Sequence, residues 1–326
     1  MHGNILFLSK GERASSTRYR ALQYFPYFKT HGWKPEHVTI SGGVISVLRA
    51  LNAARKADVV VLLRKTFPYP VFWLLRKLSK KLFFDFDDAI FCNTDGTDSK
   101  TRMNRFKTTV AACDYVFAGN SYLADTARQV NTAVSVIPTS LETKKYTASC
   151  DKESDVLCLV WIGSSSTRKY LEEILPQLEQ ACRKVKHLSL KVIADFELQS
   201  SDLNIKTIHW REESEALELC KSHIGIAPMP EDNWTKGKCA LKVLQYMAAG
   251  LPVISSKSGV NADVIDHQIN GYLVSNHSEW RDVIEMYSKN TDALRRMGDL
   301  GQKKVRAEYD IEIVFEKLLR HIERAC

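Results

Sequence analysis

Glycine and proline are scarce in this chain, 15 and 9 among 326 residues. With 44% hydrophobic and 26% charged residues, that excludes collagen-like repeats, and disorder or low complexity as a main theme. The eight cysteines, at 92, 113, 150, 158, 182, 220, 239 and 326, never form C-x-x-C. A zinc ribbon or redox dithiol therefore has no basis, and a reducing cytosol fits best. No run approaches the ~20 apolar residues that span a bilayer. The opening Ile5-Leu6-Phe7-Leu8 is too short for a signal peptide before Lys10, Glu12 and Arg13 follow. A cytoplasmic protein is expected. G-x-G-x-x-G is missing too, which argues against a dinucleotide dehydrogenase, and there is no short-period repeat.

What the chain has is length for about two domains and an uneven charge. Residues 1–150 hold 22 Lys and Arg against 11 Asp and Glu, while residues 151–326 hold 24 against 27. A basic first half points to an anionic partner: a phosphorylated ligand, a membrane surface or nucleic acid. No interleaved aromatic stacking motif supports nucleic acid.

Short β-branched or aromatic runs alternate with helical stretches. Strands are expected at Ile5–Leu8, Val59–Leu63, Leu82–Phe84, Tyr115–Ala118 and Val134–Ile137, with helices near 17–31, 43–56, 70–80, 100–112 and 121–129. A polar linker follows over 139–155. The pattern restarts with strands at Val156–Ile162, Leu188–Ala194, Ile205–His209, His223–Ala227 and Pro252–Ser255, and a helix near 168–185. Two such α/β series mean two doubly wound, Rossmann-like domains, expected at 1–150 and 151–308, with a last helix at 309–326. Ligands of such folds lie where strands run into helices.

Four segments at such places carry chemistry. In Lys236–Ser255, a helix from about 238 would be apolar nearly all round, sparing one stripe of Lys238, Lys242 and Gln245. Lys238 in a first turn opposes the helix dipole unless an anion is bound, and Gly237 allows close approach of a phosphate. A solvated helix face explains the same spacing. Strand Val160–Gly163 runs into Ser164, Ser165, Ser166, Thr167, Arg168 and Lys169, whose free N–H groups suit a phosphate, with Thr167 as N-cap; a capped surface helix is the other reading. After Ser9, hydroxyl and basic residues including Ser15, Ser16, Arg18 and Arg20 suit phosphate or carboxylate oxygens, or simply begin a basic helix. Asp85, Asp87 and Asp88 end a strand as a Mg²⁺ site would, or as a cap or loop ion pair. Asn120 reads as a helix cap. Separately, Phe67–Leu75 lies between Arg64-Lys65 and Arg76, Lys77, Lys80 and Lys81, as in an interfacial helix docking on anionic lipid or a core helix with a basic outer side.

The run Leu244-Gln-Tyr-Met-Ala-Ala-Gly-Leu-Pro-Val-Ile254, with Gly259–Asp263 and Asn270–Val274, resembles the donor domain of GT-B glycosyltransferases. It is similar to the large retaining group often called family 4, and to a subgroup with Gly-Lys-x-x-x-Lys-x-x-Gln-Tyr-Met-Ala. The resemblance implies two Rossmann-like domains facing a cleft and transfer of a sugar from a nucleotide-diphosphate donor to a glycan or lipid-linked acceptor. It implies no metal and no cofactor. Gln245 stands where the family has the glutamate that holds the donor ribose, and Gly237 where another contacts the donor sugar. Lys169 occupies a diphosphate-binding position, Ser164 replaces an arginine, and Arg168 stands nearby. The implied donor residues are Gly163, Ser164, Ser165, Thr167, Arg168, Lys169, Lys238, Lys242 and Gln245. Asp87 and Asp88 fall on the acceptor side and, with Lys242, are the expected catalytic groups; Ser15, Ser16, Arg18 and Arg20 face the cleft. The last helix crosses back to the first domain in such relatives, and membrane contact through 64–81 suits the inner face of a cell membrane. The missing glutamates leave a non-catalytic sugar-nucleotide binding protein as the alternative.

Overall fold

Val59–Leu63, five aliphatic residues in a row, are all buried, as a central strand covered on both faces requires. A computed structural model of the chain describes residues 3–146, 150, 152 and 156–325. These divide into two units. Unit 1 comprises Met1–Ser140, Asp232–Cys239 and Ile311–Cys326; unit 2 comprises Leu141–Glu231 and Ala240–Asp310. The chain therefore leaves unit 2 for eight residues and returns. Of the expected linker 139–155, residues 147–149, 151 and 153–155 lie outside the described residues.

Unit 1 is built on six parallel strands: β1 Gly3–Ser9, β2 Trp33–Thr39, β3 Val59–Leu63, β4 Lys81–Phe86, β5 Tyr115–Ala118 and β6 Val134–Val136. Their order is β2-β1-β3-β4-β5-β6. Alternate residues feed two cores. Leu6, Leu8, Val60, Leu62, Leu82 and Phe84 join Ala50, Phe72, Phe106 and Leu123 from helices Val44–Lys56, Tyr69–Leu78, Lys100–Ala112 and Ser121–Arg128. On the opposite face Ile5, Phe7, Val61 and Phe83 meet Phe28 of Phe25–Thr30, and Val314, Phe315, Leu318 and Ile322 of Ile311–Ala325.

Two expectations fail here. β2 was not anticipated, because its Pro35 and charged neighbours do not read as a strand; it lies at the sheet edge, where such residues are tolerated. The expected helix 17–31 is split into Ser15–Arg20, a 3-10 turn Leu22–Tyr24 and Phe25–Thr30. Pro26 has no N–H with which to continue a helix.

Unit 2 has β7 Leu157–Ile162, β8 Leu188–Ala194, β9 Asn204–His209, β10 Ile224–Ala227, β11 Val253–Ser256 and β12 Gly271–Val274, all parallel, in the order β12-β11-β10-β7-β8-β9. Trp161, Leu190, Val192 and Ile226 share one core with Leu171, Ile174 and Leu178 of helix Arg168–Cys182 and Trp280 and Ile284 of His277–Ser288. Among the described residues no helix is long and apolar enough to cross a membrane.

Candidate functional site

In unit 2 the strand order turns around between β7 and β10, and the crevice at such a point, beyond the strand ends, is where doubly wound sheets take ligands. Tyr246 ties the two strands there. Its hydroxyl accepts from Ile162 N at 2.9 Å and donates to Ile226 O at 3.2 Å. Beyond β7, Gly163 leads through a 3-10 turn, Ser165–Thr167, into helix Arg168–Cys182. Lys242, from helix Leu241–Ala248, reaches this loop. Its Nζ donates to Thr167 Oγ1 at 3.2 Å and lies 4.1 Å from the centre of the Trp161 ring. A Cβ on residue 163 would stand 2.7 Å from that Nζ and collide with Trp161, so only glycine fits. Gly163, Thr167 and Lys242 are thus brought together.

The other loop residues behave differently from expectation. Thr167 stands at the N-cap but its side chain caps nothing; its hydroxyl donates to Ser164 O at 3.2 Å. Ser165 is turned to Asp195, which accepts from its N at 2.7 Å and its Oγ at 3.1 Å. Those contacts, the backbone N–H foremost, hold Asp195 below the usual carboxylate range. Ser164 and Ser166 pair through their hydroxyls at 2.8 Å. Arg168 pairs with Glu172 at 2.7 Å and covers the Phe196 ring. Lys169 is exposed, above the Tyr170 ring.

The stripe expected on one helix is also corrected. Gln245 is buried, donating to Glu215 Oε1 at 2.7 Å. The same carboxylate accepts from Tyr146 OH at 2.6 Å and Trp210 Nε1 at 2.7 Å, three donors for one buried acid. Glu215 was missed because Glu212-Glu-Ser-Glu215 reads as a solvated helix start. Lys238 lies outside the helix, which begins at Leu241 after Ala240 in the left-handed region (φ 53).

Lys238 belongs to unit 1, where Asp232–Cys239 is anchored. Asn120 caps helix Ser121–Arg128 through Oδ1, as expected, while its Nδ2 donates to Lys236 O (3.1 Å) and Lys238 O (3.0 Å). Gly237 packs on Ala89, whose N would stand 2.5 Å from any Cβ there. Lys238 Nζ donates to Asp88 Oδ1 at 2.9 Å and lies over the Trp234 ring.

The strand ends of unit 1 hold a dense ion cluster. Arg64, just past β3, adopts φ 49, a strained backbone for a non-glycine residue. Its guanidinium ion-pairs with Asp88, and its Nε stands 3.2 Å from Asp87 Oδ1 without hydrogen-bond alignment. The sequence reading saw Arg64 only as part of a basic fringe; its place after a strand beside the β1/β3 turnabout was the available signal. Arg20 is fully buried and not a cleft ligand. It clamps Asp85 through Nε and Nη2, both 2.8 Å, and Ile137 O through Nη1 at 2.6 Å. Burial works against its charge, but Asp85 outweighs that and raises its pKa. The same clamp removes Asp85 from any metal. Ser15 and Ser16 open helix Ser15–Arg20, and Arg18 lies over the Tyr19 ring. Unforeseen, Ser9 Oγ accepts from Thr17 Oγ1 (2.9 Å) and Gly11 N (3.2 Å) and contacts His37 Nε2 at 2.8 Å. With both lone pairs used, the Ser9 proton goes to Nε2, so His37 carries its own on Nδ1, facing Glu12 at 3.6 Å. Among the described residues no group of three His, Cys, Asp or Glu is arranged to hold a metal.

Comparison with known proteins places these two sheets. The sucrose-phosphate synthase of Thermosynechococcus elongatus superposes with TM-score 0.78 at 15% identity, covering 99% of this chain and all of that one. Anabaena HepE, solved in complex with UDP and glucose, gives 0.73 at 12%, with the same coverage. The fold is GT-B. Residues 153–290 match a family model described as glycosyl transferases group 1. That segment contains the β7 loop, Glu215, Lys242 and Gln245 of this GT-B chain. By sequence, a probable sucrose-phosphate synthase of Thermosipho melanesiensis is 31% identical over 84 residues, 26% of this chain and 19% of that protein. The chain spans about a fifth of the length of the curated relatives it matches.

Proposed function

We propose that the protein is a nucleotide-diphosphate-sugar glycosyltransferase of the retaining, family 4 type, with its donor diphosphate at the β7 loop of unit 2. The observation that carries the reading is Lys242 Nζ at Thr167 and Gly163, at the turnabout of the sheet and inside the matched segment. In the reaction the bond from sugar C1 to the diphosphate oxygen breaks, its electron pair leaving with the diphosphate. An acceptor hydroxyl oxygen bonds to C1 on the face the diphosphate leaves, and its proton passes to a departing diphosphate oxygen. Charge grows on the leaving diphosphate, and a fixed ammonium stabilises it more in the transition state than in the bound donor. Ser164 and Thr167 add hydroxyls, and Gln245, oriented by Glu215, serves the nucleoside. Ser15, Ser16, Arg18 and Asp87 are the acceptor-side groups, with Asp88 holding Arg64 and Lys238 in place. The acceptor is a glycan or lipid-linked glycan, and the HepE complexes make UDP-glucose the first donor to try.

A thermal-shift screen against UDP, GDP, ADP and dTDP tests this, because a ligand of the native state raises Tm by mass action. One of them should raise it, the matching sugar nucleotide should be turned over in EDTA, and NMR of the product should show a retained anomeric configuration. No shift with any of the four sinks the reading. A second reading, sugar-nucleotide binding without catalysis, draws on Gly237, where Ala89 leaves no space for the acid the family pattern has. Binding with neither transfer nor donor hydrolysis would select it.

A further inference from the structure

Trp161 sits in the core of unit 2 with a polar atom it does not satisfy. It belongs to β7, is fully buried, and its indole Nε1–H finds no hydrogen-bond partner among the described residues. A buried donor without an acceptor is destabilising. Leucine, isoleucine or phenylalanine fills such a strand position without that defect, as Leu159, Leu190 and Ile226 do in the same core. Burial alone therefore does not account for an indole here. What an indole supplies beyond apolar area is the strongest ring face for a cation.

That face is in use. Lys242 Nζ lies 4.1 Å from the ring centre. The benzo edge of the same ring runs beneath Gly163, where a Cβ would overlap Cη2 and Cζ2. Phe196, just after β8, packs on the ring with centres 5.8 Å apart and planes tilted by 60°, and carries the Arg168 guanidinium 5.0 Å from its own centre. Backbone on one side and a second ring on another hold the indole still, so what rests on it is held too. A carboxylate holding the ammonium would cancel its charge, as Asp88 does for Lys238. A ring quadrupole holds it and carries no net charge of its own.

We propose that Trp161 is a positioning residue for Lys242: its ring fixes the ammonium at the β7 loop before a donor arrives and leaves the positive charge for the diphosphate. The role rests on the donor reading above and names the side chain that sets where the cation stands. A lysine side chain is long and rotamer-rich, and ordering it in the empty protein removes that cost from binding.

The test replaces Trp161 alone by 5-fluorotryptophan and by 5,7-difluorotryptophan, installed site-specifically in the full chain. Fluorine withdraws electron density from the ring face at nearly constant size, so packing is kept while attraction for a cation falls. The ligand is whichever of UDP, GDP, ADP and dTDP raises the wild-type Tm. Calorimetry should show its affinity falling about twofold per fluorine, with unchanged urea midpoints. In a Lys242→Ala background the same fluorines should change affinity by less than ~1.5-fold, because the contact they weaken is gone. Trp161→Leu should lose about fivefold to thirtyfold in affinity; should that variant unfold, the fluorine series decides alone. Affinity indifferent to fluorine, or falling equally with Lys242 absent, overturns the role and leaves Trp161 as a core residue, with the donor reading intact. A wild type that binds none of the four nucleotides, or a Lys242→Ala that binds as the wild type does, overturns the donor reading and the role with it.

Discussion

Unit 1 and unit 2 each build a doubly wound parallel sheet, and different described contacts hold the cations at the strand ends. At the strand ends of unit 1, Arg20 is clamped by Asp85, and Arg64 and Lys238 meet Asp87 and Asp88. These cations serve acids of the protein itself. At the strand ends of unit 2, Lys242 is held by a hydroxyl and an indole face beside a glycine with no space for a side chain. Part of the basic excess of the first half is therefore matched inside the protein and does not by itself mark a site for an anion. A buried cation already matched by a carboxylate has little left for a ligand.

Four experiments press on that contrast. The largest effect should come from Arg20→Ala, which leaves Asp85 buried without its partner and should cost about 3–5 kcal/mol in urea unfolding. A cost near zero would mean that Arg20 is not the internal strut described. Lys242→Ala should do the reverse, changing stability by no more than ~0.5 kcal/mol. It should weaken nucleotide-diphosphate binding by about tenfold to a hundredfold, the loss of a charge-assisted contact of ~1.5–3 kcal/mol, as read by calorimetry. Equal affinity in both proteins would move the donor away from this loop.

The third experiment concerns pH. Burial lowers the pKa of His37, with Glu12 pulling the other way, and a second proton on Nε2 would meet a Ser9 oxygen whose lone pairs are taken. The unfolded chain then takes up that proton first. The contribution is complete above the ordinary histidine value of ~6.5 and is lost as pH falls through it. Urea midpoints should drop on acidification, and His37→Asn should flatten part of that slope. Smallest is Ala240→Gly, which relieves a left-handed alanine where the chain re-enters unit 2. Tm should rise, by about 0.5–1 kcal/mol of stability.

The central strands were legible because buried parallel strands are rich in apolar runs: Val59–Leu63 and Tyr115–Ala118 have the expected bounds, and so has Leu188–Ala194, where Ser189 and Lys191 interrupt the run. What the sequence hid is mostly pairing at a distance. Arg20 looks like a phosphate ligand until Asp85, 65 residues on, is beside it. Cys239-Ala240-Leu241 reads as uninterrupted helix. The break comes from Asn120 on the carbonyls of Lys236 and Lys238, and from Asp88 on the Lys238 ammonium. Glu215 looks solvated because Tyr146, Trp210 and Gln245, which enclose it, lie on three other segments. At the β7 loop, hydroxyls after a strand were visible, but which of them would turn to Asp195 was not written locally.

The closing helix Ile311–Ala325 has a bearing on how the chain is made. It fills one face of the sheet that begins at Gly3, placing Val314, Phe315, Leu318 and Ile322 against Phe7, Phe28 and Phe83. During synthesis, the first 140 residues leave the ribosome with that face uncovered. They lack the Asp232–Cys239 segment as well. Unit 2 can close over its own β7–β12 sheet sooner, needing from later sequence only residues up to Asp310. Unit 1, begun before unit 2, is thus completed after it, and a nascent chain must keep part of an aromatic sheet face shielded until residues 311–325 are made.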